Sequence, residues 1–516
     1  MTQSTRIIVN TLATYGRSVV TLVFTLFSAR WVLAALGQSD FGLFGVVGSM
    51  IMFISFLGAI FSASVSRFYA FAIGRGRNMD PGLARNDLMG WFNTALSIHL
   101  LLPLLLVVVG VPVGLYAIDH WLTIPADRIV ACRWVLILSL LSSFVSMALT
   151  PYIAMFEAHQ YIIELVVFNF VKTMLVFFGA LLLLHVSGDH LIVYAVIMSA
   201  INAGIPLAQA VRAYIKFDAC RVSPRMMYDI ASIKEIFAYI GFKFIGGLGW
   251  VFRTQGSAIM INMVFGPKVN SAFGVASQLS GQAAGFSASL SGVVAPAVTS
   301  YEGEGARDKM ISLALRTCKF TGLLILVFAV PLIAEIDNVL RLWLVNPPEY
   351  ANFFCAAMLV VFLLDYLTTG HNVAILAQAR IGGWQCWYAM SLAMTLAFAG
   401  IMIVCGFGVW SIGYAYLLSA IMESCGRLYF ARVLVGMPIG KWFASVFSPM
   451  VVVTSVSGVV AYLVSRSMSE SFIRLCITTA VTGVSTAVFG WGMVLDAQER
   501  GYIFDRMKSL VCRYGA

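Results

Sequence analysis

Apolar stretches alternate with short polar, glycine-bearing or charged segments along the whole chain. Fourteen such stretches fall near residues 9–36, 42–72, 90–117, 131–155, 160–185, 190–213, 235–265, 270–298, 314–335, 352–377, 382–405, 408–430, 441–465 and 473–495. Each exceeds the ~20 residues that a helix needs to cross about 30 Å of hydrocarbon. Such spans must be helical, because a helix pairs its own backbone groups where no water is available. The pattern predicts an all-α integral membrane protein of about 14 transmembrane helices. Arg17 interrupts the first apolar run, and no small-residue cleavage site precedes its continuation through Leu33. That run is therefore expected to be a retained span, not a cleaved signal.

The same pattern carries an internal repetition. Gly37, Phe44-Gly45-Val46 and the pair Gly74/Gly76 recur as Gly266, Phe273-Gly274-Val275 and Gly303/Gly305, and 266 − 37, 273 − 44 and 303 − 74 all give 229. In each copy a long apolar helix runs into a glycine-bearing turn, then a second apolar helix, then a charged loop. A duplicated unit of this kind predicts two pseudo-symmetric six-helix lobes, with function between them. The expected division is 1–213 for the N-terminal lobe, 214–234 for a basic linker and 235–432 for the C-terminal lobe. Residues 433–516 are left for two extra helices and a basic tail.

Composition agrees with the bilayer. The 516 residues are 60% hydrophobic and 11% charged, with a mean hydropathy of +0.91, whereas a soluble domain carries about 25% charged residues. The net charge of +10 does not point to nucleic acid, because the basic residues cluster in loops between spans. They include Arg75/Arg77/Arg85, Arg212/Lys216/Arg221/Arg225/Lys234, Arg307/Lys309/Arg316/Lys319 and the tail residues Arg500, Arg506, Lys508 and Arg513. Roughly 21 Lys/Arg on that side against about 7 on the other places both termini in the cytoplasm by the positive-inside bias. The nine cysteines form no CxxC and no Cys/His ligand set, so neither disulfide, metal nor cofactor is expected. The loops hold no domain large enough for a catalytic site, and a transporter is expected, not an enzyme.

The informative positions are ionisable residues at membrane depth, each of which costs at least ~2.5–3.5 kcal/mol at a helix centre unless paired or hydrated. Arg17 and Arg30 lie on the first span, Arg67 on the second, Glu164 and Lys172 on the fifth, Lys243 and Arg253 on the seventh, and Asp365 and His371 on the tenth. Glu423 and Arg427, four apart on the twelfth, read as a local ion pair. Arg30 and Arg67 sit close enough to helix ends to snorkel, and His99 reads as a core histidine. Arg17, Lys243 and Arg253 occupy equivalent helices of the two lobes with no acid on either helix. A cationic cavity suits an anionic substrate, and the planar arginine fork suits phosphate oxygens; bonding to backbone carbonyls or lipid headgroups is the alternative. Gly241, Gly246, Gly247 and Gly249 on the seventh span suit either close packing or bending. Glu164, Asp365 and His371 are candidates for proton or ion coupling, Asp365 alternatively for pairing with a basic residue.

Several of these segments resemble bacterial polysaccharide repeat-unit flippases. The resemblance rests on Asn10-Thr11-Leu12, Ser28-Ala29-Arg30, Leu36-Gly37, Asp40-Phe41-Gly42-Leu43-Phe44, Val46-Val47-Gly48, Ser66-Arg67-Phe68 and Gly74-Arg75-Gly76. It continues in Val269-Asn270-Ser271-Ala272-Phe273-Gly274-Val275-Ala276 and Gln278-Leu279-Ser280-Gly281. It implies the multidrug/oligosaccharidyl-lipid/polysaccharide exporter fold, alternating access and movement of undecaprenyl-pyrophosphate-linked oligosaccharides across the bacterial inner membrane, from the cytoplasmic to the periplasmic leaflet. It also implies a cationic central cavity, to which Arg17, Arg30, Arg67, Lys172, Lys243 and Arg253 are assigned by helix. The partners it implies are the lipid-linked oligosaccharide, membrane lipids, and a polysaccharide polymerase and chain-length regulator. A cation-coupled drug exporter on the same fold is the alternative, disfavoured by arginines without carboxylates in the first two spans before Asp40. A membrane polymerase or ligase is less favoured, because its sugar chemistry needs a sizeable outer loop and the sequence shows none.

Overall fold

The computed structural model describes residues 24–25, 27–49, 65–66, 68–69, 72–73, 79–159, 161–226, 244–344, 346–378 and 381–501. The regular structure among them is helical. The helices are α1 (Phe27–Ser49), α2 (Pro81–His120), α3 (Ile129–Ala148), α4 (Thr150–Ala158), α5 (Ile162–Leu183), α6 (His190–Lys216), α7 (Ser257–Phe265) and α8 (Pro267–Gly303). They continue as α9 (Arg307–Ala334), α10 (Ile336–Trp343), α11 (Ala351–Leu367), α12 (Thr369–Leu376), α13 (Gly382–Val404), α14 (Trp410–Phe430), α15 (Ile439–Ser467) and α16 (Phe472–Met493). Among the described residues nine helices are long and apolar enough to cross a membrane, ten if α11 and α12 count as one span. The protein is an all-α, multi-pass membrane protein.

Where they are described, the apolar stretches of the sequence are helical, with several departures: the stretch 131–155 divides at Leu149 into α3 and α4, and α1 bridges the expected gap between the first two stretches. Helix α2 begins at Pro81, well before residue 90, because Asp80 caps it: its carboxylate accepts the Gly82 amide at 3.0 Å, and Pro81 occupies the first turn, where no amide is needed. The stretch 352–377 is not one straight span but breaks at Thr368, with α11 and α12 inclined by 52°.

The chain divides into two units, Met1–Gly274 with Trp343–Glu349, and Val275–Leu342 with Tyr350–Ala516. The seventh span thus falls with the first unit. In that unit Val32, Leu36, Leu43, Val46 and Val47 of α1 form a buried cluster with Leu136 and Leu140 of α3 and Leu191 and Ala195 of α6. Both repeat glycines adopt the left-handed region that disfavours other residues, Gly37 at φ 72° and Gly266 at φ 83°. Gly266 ends α7 and Pro267 starts α8, the usual division of labour between these two residues at helix ends. Gly74 and Gly76 lie outside the described residues. The beginning of the segment expected as a linker is anchored to α2: Asn93 donates to the Arg221 carbonyl at 3.0 Å and accepts the Ser223 amide.

The second unit packs α9 against α11, α12, α15 and α16 around Leu326, Val330, Met450 and Val453. Polar pairs close it at two levels. Glu335, 1% exposed, takes the Arg474 guanidinium at 2.7 Å and the Thr478 hydroxyl at 2.9 Å, while Lys319 reaches the buried Glu499 carboxylate at 2.9 Å. Gly426 lets the Trp387 indole cross α14, since a Cβ there would lie 1.9 Å from the indole nitrogen. Gly426→Leu is therefore expected to displace Trp387 and break its bond to the Met422 carbonyl. The measurable result is a lower thermal midpoint and less monodisperse protein than Gly440→Leu, where the space is open.

Candidate functional site

Of the cationic residues singled out in the sequence, Arg17, Arg67 and Lys243 lie outside the described residues. Arg30 is half-buried on α1 and Lys172 half-buried on α5. Arg253 is buried, at 7% exposure, on a π-helical turn, Phe252–Gly256, that leads into α7. All three belong to the first unit. The π-turn follows the glycines Gly246, Gly247 and Gly249 and ends at Gly256, residues that tolerate the extra backbone needed to widen a helical turn. Such single π-turns recur at functional positions because they displace one side chain from the helical ladder. Here the displaced turn carries the only charged residue of its helix between 244 and 265.

Glu164 lies at the start of α5, beside the end of α6. It pairs with Arg212 at 3.1 Å and with Lys216, whose ammonium also sits 3.3 Å from the Tyr161 ring centroid. Glu164 and Lys172 share a helix without an ion pair between them among the described residues; the acid's partners come from the neighbouring span.

Asp365 and His371 stand on either side of the α11–α12 break. The break falls at Thr368, followed by Thr369 and Gly370. Gly370 lies so close to α9 that a Cβ would meet the Ala314 carbonyl oxygen at 1.9 Å. A helix broken at membrane depth must find partners for the freed backbone oxygens, and three other helices supply them. Arg427 of α14 donates to the Asp365 carbonyl at 3.0 Å, Thr321 of α9 to that of Tyr366 at 3.2 Å, and Trp442 of α15 to that of Leu367 at 2.9 Å. Arg427 also pairs with the Asp365 carboxylate at 2.6 Å, the Thr368 hydroxyl at 3.1 Å and Glu423. The i,i+4 pair read from the sequence is thus present, but it is one edge of a triad that carries two acids against one base. Glu423 and Arg427 are buried, whereas the Asp365 side chain is 40% exposed. Removing one partner of a buried pair leaves the other charge uncompensated, so this network fixes the geometry of the break. His371 is buried with Nδ1 3.5 Å from the Cys318 sulfur. His99 is a core histidine whose Nδ1–H donates to the Ala95 carbonyl at 2.8 Å.

One charged cluster was not singled out in the sequence. Arg128, before α3, spans Asp40 of α1 at 2.9 Å and Asp189, the N-cap of α6, at 2.9 Å. A single arginine among acids at loop ends was the available signal, but its partners come from two other hairpins. Burial disfavours the Asp189 carboxylate; the Arg128 guanidinium and the Ile192 and Leu191 amides outweigh it and hold the carboxyl below its usual range. A carboxyl depressed in the folded state contributes stability above its unfolded value, which is lost as pH falls through the lower folded value. The unfolding midpoint is therefore expected to fall on acidification below about pH 4. Asp189→Asn, lacking that titration, loses less over the same interval.

With this geometry in place, the fold can be compared with solved ones. The chain has the fold of a class of multi-pass helical transporters. It superposes on the lipid II flippase MurJ in its inward closed conformation with a TM-score of 0.67 at 12% identity, covering 93% of this chain and 98% of that one. An inward-facing multidrug resistance MATE family transporter of the MOP superfamily gives 0.60 at 14% identity, over 80% and 95%. The MATE multidrug transporter DinF-BH in complex with R6G gives 0.54 at 13% identity, over 85% and 98%. No family model matches the sequence, and no curated protein does. At these identities the likeness establishes the fold that the three share with this chain.

Proposed function

We propose that the protein is a flippase that carries undecaprenyl-pyrophosphate-linked oligosaccharide repeat units from the cytoplasmic to the periplasmic leaflet of the bacterial inner membrane by alternating access. The observation that carries this reading is Arg253, a buried arginine on a π-turn inside a chain with the fold of a lipid II flippase. A buried guanidinium offers a diphosphate charge-assisted, bidentate hydrogen bonds. In this reading Arg17, Arg30, Arg67, Lys172 and Lys243 belong to the same cationic path, and both termini are cytoplasmic. Two six-helix lobes, 1–213 and 235–432, work against each other, with the helices of 433–516 appended. Asp365, His371 and Glu164 are the coupling candidates. Asp365 is the best placed of them, because it is the exposed acid of a triad with one excess negative charge and sits at a helix break. A polysaccharide polymerase and chain-length regulator complete the pathway as partners.

The second reading is a multidrug exporter, favoured by the MATE neighbours, one of them in complex with R6G. The two readings separate in proteoliposomes offered both a short undecaprenyl-pyrophosphate-linked oligosaccharide and a cationic dye. The flippase moves the first, and the exporter moves the second.

A further inference from the structure

A serine or threonine hydroxyl inside an apolar helix commonly gives its hydrogen to a carbonyl three or four residues back, since no water is there to take it. Ser28 donates in this way to Phe24, Thr150 to Ser146, Thr317 to Leu313 and Thr454 to Met450, at 2.7 to 3.2 Å. Among the described residues three buried serine or threonine hydroxyls have no hydrogen-bond partner, those of Ser257, Thr395 and Thr482. Ser257 differs from the other two in its place: it is the first residue after the π-turn Phe252–Gly256.

Within that turn Thr254 still reaches the Trp250 carbonyl at 2.8 Å. For Ser257 the carbonyls three and four residues back are those of Thr254 and Arg253, both inside the widened turn, and its own amide takes the Thr254 one. A π-turn carries backbone carbonyls out of register with the side chains one turn later. The Ser257 hydroxyl, 1% exposed, is left with a hydrogen that no described residue accepts, an unfavourable state for a buried donor. Arg253 stands four residues earlier and is itself buried, at 7% exposure. Residues so spaced share a helix face, with Cβ atoms ~5–6 Å apart. A guanidinium and a hydroxyl at that separation match oxygens of one diphosphate group: the arginine brings charge and a planar fork, the serine a second donor that turns freely. Between 244 and 265 the helix carries no acid to compete for that hydrogen.

We infer that Ser257 is the second hydrogen-bond donor of the Arg253 site, that it takes an oxygen of a diphosphate-headed isoprenoid, and that the π-turn keeps its hydroxyl free to do so. This assignment rests on the flippase reading above. The test is calorimetric titration of the full-length protein in detergent with farnesyl diphosphate and, in parallel, inorganic pyrophosphate. Ser257→Ala is expected to weaken farnesyl diphosphate binding about tenfold or more, the usual effect of losing a hydrogen bond to a charged group. The isosteric Ser257→Cys, with its weak thiol donor, falls between the two. In the ligand-free protein Ser257→Ala is expected to leave the thermal midpoint unchanged or higher, because the hydroxyl it removes is unpartnered. Thr321→Val, which deletes a hydroxyl bonded to the Thr317 and Tyr366 carbonyls, lowers it. Equal affinity for inorganic pyrophosphate, with the same loss in Ser257→Ala, supports the donor role and makes the free anion its ligand. Full affinity in Ser257→Ala beside weakened binding in Arg253→Ala overturns the inference and leaves the cationic path standing. A midpoint that falls in ligand-free Ser257→Ala overturns it as well, by showing the hydroxyl to be engaged already. If the unmodified protein binds neither probe, the diphosphate reading fails and the role of Ser257 falls with it.

Discussion

Arg253→Ala is expected to lower oligosaccharide flipping by about 30-fold or more, because truncating one partner of a buried, hydrogen-bonded charge pair costs roughly 2–5 kcal/mol. The side chain is buried on the π-turn ahead of α7, so water can replace little of what a diphosphate would lose. Arg253→Lys keeps the charge but not the planar fork, and is expected to retain part of the rate. Flipping rates normalised to reconstituted, correctly folded protein check this. Arg17→Ala and Lys243→Ala belong in the same series, since both residues were assigned to the cationic path on helix position. Wild-type rates for all three variants would remove the diphosphate site from the account and leave the fold as it stands.

The second large effect is on stability. Arg427→Leu removes the group that pairs with Glu423 and Asp365 and that donates to the Asp365 carbonyl at the helix break. It takes the guanidinium from the buried Glu423 and one of the donors from the Asp365 carbonyl, and is expected to destabilise the protein by about 3–5 kcal/mol. The thermal midpoint of the purified protein should fall clearly, and Glu423→Gln in the Arg427→Leu background should recover part of the loss by neutralising the stranded acid. A midpoint unchanged by Arg427→Leu would show that the triad does not hold the break.

The span pattern was legible in the sequence because hydrocarbon length and backbone pairing leave few alternatives. Of the proposed repeat, Gly37 and Gly266 were matched by spacing and both adopt positive φ. The break at Thr368 was not legible, because Thr-Thr-Gly in an apolar run is compatible with a straight helix. Only the side chains of Thr321, Arg427 and Trp442, from three distant segments, make the broken form affordable to the backbone. Pairings across hairpins were hidden for the same reason. Glu164 is an example: its partners, Arg212 and Lys216, come from the next span. Periodicity reports which face of a helix is apolar; it does not say which helix lies against it. The candidate site was read from residue types at depth, and of these Arg253 is described as buried on a π-turn.

The most direct measurement is translocation of a short undecaprenyl-pyrophosphate-linked oligosaccharide by the purified protein in proteoliposomes, with a cationic dye in parallel vesicles. The account predicts that the oligosaccharide crosses, that Arg253→Ala loses that crossing, and that the dye stays. Dye efflux with no movement of the lipid-linked sugar would contradict it and make the protein a multidrug exporter.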